Sequence, residues 1–174
     1  MSKLSVLVGV VAGALSCASA TAAPLGSHAG SCGAAPGAAI LVQVGGFKAR
    51  HGMLRVQTYG GNPATFFEKG RYIDRIDVAV PASGVAHVCV PLGRAGTYAV
   101  SVRHDMDGDR KTGRADGGGM SGNPQVSVTD LLFKRKPAAD RVAVSVGNGV
   151  TTVPVILNYM QGMSFRPIAK SAGR

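Results

Sequence analysis

Gly96-Thr97-Tyr98-Ala99-Val100-Ser101-Val102-Arg103-His104-Asp105-Met106-Asp107-Gly108-Asp109 is the stretch that decides the fold. A turn residue opens it, the residues then alternate in character, and aspartates follow at every second position. Period two marks a strand with one face on a core: Tyr98, Val100 and Val102 share that face, and Ala99, Ser101 and Arg103 take the other. A core strand thus runs straight into the densest acidic cluster of a basic chain.

Outward from this strand the same alternation returns. Ile40, Val42 and Val44 form one set, and Leu54, Val56 and Thr58 a second. Ile76, Val78 and Val80, then Ala86, Val88 and Val90, follow. Val142, Val144 and Val146, then Val153, Val155 and Leu157, close the series. Gly- and Pro-containing turns separate the runs at the short spacing of an all-β chain. The short polar link 48–52 predicts a hairpin between the first two strands, and Asn148-Gly149 predicts a type I′ hairpin between the last two. Pro154 cannot donate to a ladder, so its strand belongs at an edge or a bulge. Residues 64–71 read as a strap or helical turn in which one of Phe66 and Phe67 caps the core. Residues 104–126 read as an irregular excursion, and 127–134 as a short strand or one helical turn. The expected architecture is a single β-sandwich over residues 38–160. It has about seven antiparallel strands, of immunoglobulin-like or transthyretin-like type. A chain of 174 residues, 45% hydrophobic, supports one such core.

Residues 1–22 stand apart. Lys3, an apolar run from Leu4 to Leu15, and Ala20-Thr21-Ala22 have the order of a secretory signal with its cleavage site. The run is too short for a bilayer span, so no transmembrane segment is expected after cleavage. A lipidated Cys17 is a minor alternative. Export to the periplasm, outer envelope or medium then governs the remaining cysteines. Cys32 and Cys89 form an even pair in an oxidising compartment, and a bond between them would close a loop of about 58 residues. Residues 23–37 read as a flexible leader tethered by Cys32, and 161–174 as a basic tail. Lys and Arg outnumber Asp and Glu by 19 to 9. In an exported protein that excess points away from nucleic acid and toward an anionic envelope component, or simply to a solvated surface. Lys134-Arg135-Lys136 is the densest internal basic run.

Asp105, Asp107 and Asp109 occupy positions one, three and five of a calcium-loop spacing, with Asp116 at the twelfth. Arg110 stands where such a loop takes Gly. The competing reading, which we prefer at this level, is an Asp/Gly turn neutralised by Arg103, Arg110, Lys111 and Arg114. His104 and Asn123 are assigned loop-orienting roles. No catalytic signature is present: Ser121 lies in no G-x-S-x-G elbow, and there is no H-E-x-x-H or Walker A pattern.

The succession Leu54-Arg55-Val56-Gln57-Thr58-Tyr59, the Gly96–Val102 strand, His104-Asp105-Met106-Asp107-Gly108-Asp109, Ser121-Gly122-Asn123-Pro124 and Leu157-Asn158-Tyr159 resembles an exported bacterial family, domain of unknown function 2141. The resemblance implies the compartment and the fold; it implies no activity. Family members usually have Gly where Arg110 stands, an acidic residue near Gly113, and Asn in place of Gly122. The expected function is therefore a non-enzymatic periplasmic or envelope binding or structural module, with calcium as the one cofactor the sequence suggests. A binding domain for an anionic glycan or lipid is the alternative, and a metal-dependent hydrolase ranks last.

Overall fold

The computed structural model describes residues 23–33 and 37–168. The expected signal segment, Cys17 and the end of the basic tail lie outside the described residues. Ten strands are described: β1 (Ala39–Gly45), β2 (Met53–Gly60), β3 (Asp74–Ala79), β4 (Ala86–Pro91), β5 (Gly96–Asp105), β6 (Gly117–Met120), β7 (Val144–Val146), β8 (Val150–Ile156), β9 (Asn158–Gln161) and β10 (Ser164–Pro167). Two short helices, α1 (Val128–Leu132) and α2 (Ala139–Val142), interrupt them. The small sheet has the order β4-β1-β8; the large sheet runs β10-β9-β6-β5-β2-β3, with β7 paired to the start of β5. The fold is all-β and sandwich-like.

The alternation explains the core. Ile40, Val42, Val44, Val88, Val90 and Val155 project from the small sheet, and Leu54, Val56, Ile76, Val100 and Val102 meet them from the large one. β2, β3 and β8 bury every second residue over most of their length, so a register slip of one would expose their apolar sets. Tyr59, Phe66, Ala99 and Val142 form a second, smaller cluster. Phe66 is thus the buried member of the Phe pair, held by the strap whose 3₁₀ turn is Pro63–Thr65.

Several connections depart from the sequence reading. The expected β1–β2 hairpin is an arch: β1 joins β4 and β8 while β2 joins β3 and β5 in the other sheet. Loop length alone does not separate a hairpin from an arch over two sheets about 10 Å apart. The predicted Asn148-Gly149 hairpin is also a crossing. Val146 pairs with Gly96 in the large sheet, whereas Val150 pairs with Ala39 in the small one, parallel rather than antiparallel. Val142 belongs to α2, not to a strand. Residues 104–126 contain β6, and part of the expected tail forms β10. The run Gly117-Gly118-Gly119 hid β6 because glycines show no alternation. Two of them are required there: a Cβ on Gly117 would overlap the Tyr159 ring, and one on Gly119 the Ile156 carbonyl. Residues 127–134 hold α1, whose Ser127 and Asp130 form a reciprocal capping box.

Two expectations about edges and cysteines find their counterparts. Pro154 lies on β8, at an edge of the small sheet. Cys32 and Cys89 are bonded, with Cα atoms 5.8 Å apart. In the described part of the leader, Leu25 bridges Val88, and a 3₁₀ turn (Ala29–Cys32) brings Cys32 to the face of β4 away from the main core. Among the described residues, no helix is long and apolar enough to cross a membrane.

Candidate functional site

The acidic loop begins where β5 ends, between β2 on one side and β6 on the other. Asp105 is only 2% exposed. Its Oδ1 accepts from the Gly108 amide at 3.0 Å; its Oδ2 accepts from the Arg110 amide at 3.0 Å and from Arg103 Nη2 at 3.3 Å. One carboxylate thus folds five residues around itself. Asp107 Oδ1 accepts from the Asp109 amide at 3.2 Å, and Asp109 Oδ1 from the Lys111 amide at 2.7 Å. Asp105, Asp107 and Asp109 each offer an oxygen, and these oxygens lie within 4.8 Å of one another.

Asp116 stands apart from that group. Its oxygens accept from the amides of Met106 (3.1 Å) and Gly113 (2.8 Å), closing the base of the loop. Arg110 adopts φ 64°, the left-handed backbone for which a calcium loop uses Gly, so the departure in residue type leaves the turn itself in place. Of the four cations expected to neutralise the loop, Arg103 is the one within ion-pair distance among the described residues. Its guanidinium also donates to the Arg110 carbonyl at 3.1 Å and to Thr112 Oγ1 at 3.3 Å. Beside the loop, Arg55, Arg75, Arg103 and Arg110 gather with Asp77 and Asp105 around a cavity of about 320 Å³. Burial works to raise the Asp77 carboxyl, but hydrogen bonds from Arg55 and Arg75 outweigh it and hold the group below the usual carboxylate range.

His104 lies directly beneath and is fully buried. Its Nε2 faces the His51 carbonyl at 2.8 Å, and a carbonyl only accepts, so Nε2 carries the proton. Nδ1 is then free to accept from the Tyr159 hydroxyl at 2.6 Å. That hydroxyl in turn accepts from the Lys48 amide at 3.2 Å. Burial pushes the Tyr159 phenol up, keeping it protonated as a donor. His51 Nδ1 donates to the Met106 carbonyl at 3.0 Å, so the β1–β2 arch and the acidic loop are joined through this network. Sequence reasoning named His104 but missed Tyr159. The signal was available: Val153, Val155, Leu157 and Tyr159 continue one parity.

Asn123, at φ 47°, works on the opposite sheet edge. Its carboxamide donates to the Pro154 carbonyl at 3.1 Å and accepts from the Ile156 amide at 2.7 Å, replacing the neighbour that β8 lacks. Ser121 fills the equivalent gap on β5 between β6 and β7. It exchanges hydrogen bonds with Val100 and donates to the Val142 carbonyl. The Ser-Gly-Asn-Pro run is therefore a clamp between the sheets. Asn123→Ala should lower stability by about 1–2 kcal/mol in urea unfolding, with faster amide exchange at Ile156.

The motifs that carry this clamp and loop are those of a wider group. A family model described as "Uncharacterized protein conserved in bacteria (DUF2141)" matches residues 42–154, from within β1 to within β8. The chain belongs to this family. No curated protein and no solved structure matches it. The family boundaries take in the acidic loop, the clamp and α1, and leave the Cys32 leader, Tyr159 and the β9–β10 hairpin outside.

Proposed function

We propose that the protein is an exported, non-enzymatic binding module whose Asp loop takes a calcium ion. The observation that carries this reading is the approach of three carboxylate oxygens to within 4.8 Å at the end of the central strand. Calcium takes six to eight oxygens in flexible geometry, so the loop's carboxylates would be joined by water and backbone carbonyls. The Arg103 contact to Asp105 competes with the ion, which sets the expected affinity in the weak range of extracellular modules, about 10⁻⁴–10⁻³ M. A bacterial family, a disulfide and the signal-like order of residues 1–22 support the exported compartment.

Thermal unfolding of the mature chain against calcium tests the loop. Calcium at about ten times its dissociation constant should add about 1.4 kcal/mol by linkage, and Asp107→Ala should abolish the rise. An unchanged melting temperature at millimolar calcium removes the metal and leaves the loop as a hydrogen-bonded turn. A second reading, engagement of an anionic envelope component, is favoured by the excess of 19 basic over 9 acidic residues.

A further inference from the structure

The second reading leaves open where on the surface an anionic partner would sit and what kind of partner it would be. The segment 131–136 is exposed at every position, and its first three residues are large and apolar. Leu131 is 41% exposed, Leu132 73% and Phe133 64%. Three consecutive side chains of this kind in water cost hydration free energy that most surfaces avoid. Lys134, Arg135 and Lys136 follow without a break.

This tip is built, not frayed. The capping box of Ser127 and Asp130 fixes the start of α1. Its end is fixed by Lys134 in the left-handed conformation, φ 51°, with the Arg135 amide donating back to the Asp130 carbonyl at 2.8 Å. That is a Schellman closure with lysine at the position where glycine is usual. Leu131 lines a groove together with Met120, Val126 and Phe165. Leu132 and Phe133 are left facing out. Lys136 is drawn back to Glu68 at 3.2 Å, and Arg135 lies over the Phe133 ring at 5.3 Å. Among the described residues, Lys134 and Arg135 make no ion pair.

We propose that α1 and the turn after it form a docking tip for an anionic lipid bilayer: Leu132 and Phe133 enter the acyl boundary, and Lys134 and Arg135 meet the head groups. The proposal rests on the second reading above and narrows it to one surface and one partner. Charge complementarity selects the anionic leaflet, and the adjoining apolar pair selects a bilayer over a soluble polyanion, which offers nothing for those side chains to enter. The tip is too small to span anything. It gives weak, reversible attachment that screening by salt should loosen.

The test is cosedimentation of the mature protein with vesicles of phosphatidylcholine alone or mixed with phosphatidylglycerol. Binding is expected to the mixed vesicles and to weaken with salt. Leu132→Ser with Phe133→Ser should cut the partition constant at least about tenfold, since both side chains already face water and the fold does not depend on them. Lys134→Gln with Arg135→Gln should weaken binding and flatten its salt dependence. The chain contains no tryptophan, so Phe133→Trp supplies a single indole whose emission should shift to the blue on mixed vesicles only. Equal binding to both vesicle types overturns the proposal, as does an unshifted indole. If the double serine variant binds mixed vesicles and dextran sulfate as well as the parent does, the tip is excluded while the general basic-surface reading survives. Loss of a concentration-dependent dimer in that variant would instead assign the tip to a second copy of the chain.

Discussion

Replacing Cys32 and Cys89 together by alanine should lower the stability of the protein by about 4 kcal/mol, the largest single effect expected here. The bond closes a loop with a sequence separation of 57, and freeing that loop returns chain entropy to the unfolded state, which favours unfolding. Against a typical domain stability of about 5–15 kcal/mol, that is a large share. For a chain of this size it corresponds to a fall in melting temperature of about 10 °C. The native state loses something too. Cys89 is fully buried because the leader lies across β4, and Leu25 reaches the same strand through the hydrogen bond its backbone amide donates to the His87 carbonyl. Without the bond, the leader keeps that bridge, its turn and the approach of His28 to Asp74 at 4.0 Å. Urea unfolding of the double variant and of the reduced parent checks the magnitude. A loss below about 1 kcal/mol would mean that the unfolded chain already holds these two segments together.

The second large effect belongs to Asp105. Asp105→Ala removes a buried carboxylate that serves two backbone amides and the Arg103 guanidinium. The amides of Gly108 and Arg110 lose their partners, and Arg103, mostly covered, loses its counter-ion. Removing one member of such a set costs about 3–5 kcal/mol when the remaining groups stay buried. Arg103 retains the Arg110 carbonyl and a partial opening to solvent, so the lower end, about 3 kcal/mol, is the expected value. Asp107→Ala provides the contrast, because its carboxylate is exposed and accepts a single amide. In the presence of a chelator it should change stability by less than about 1 kcal/mol. The pair of variants separates the two roles of the loop. Asp105 closes the loop through its own hydrogen bonds, and on the calcium reading proposed above a bound ion is what would make Asp107 matter. Equal losses for both in chelator would show that the loop is organised in some other way.

The extent to which the sequence revealed this molecule follows from what each residue type advertises. Valine alternation is visible because it records which face of a strand is covered, and from it came the sandwich and the inward parity of β4; the edge position of Pro154 came instead from its missing N–H. It carries no record of which sheet a strand joins. The same run of Ile40, Val42 and Val44 fits a hairpin with β2 or a central place between β4 and β8. Gly117-Gly118-Gly119 has no side chains to alternate, so β6 was invisible until the Tyr159 ring above it was known. The acidic loop was legible as a cluster but not as a division of labour. Spacing placed Asp116 beside the other three, whereas three-dimensional folding gives it the amides of Met106 and Gly113. The exposure of Leu132 and Phe133 could not be read at all, since a short apolar run looks the same inside a core and outside one.

The seating of β1 has a consequence for how the molecule comes together. Ala39 is matched to Pro91 on one flank and to Val150 on the other, the latter in parallel. The large sheet can begin from neighbours such as β2 and β3, but the small one waits for nearly the whole polypeptide. Until β8 arrives, β1 and β4 can cover part of the large sheet, but β1 keeps one flank unpaired and Val153 and Val155 are missing from the core. Completion of the fold is thus deferred by topology alone: a growing chain of this design locks only when its last strands join.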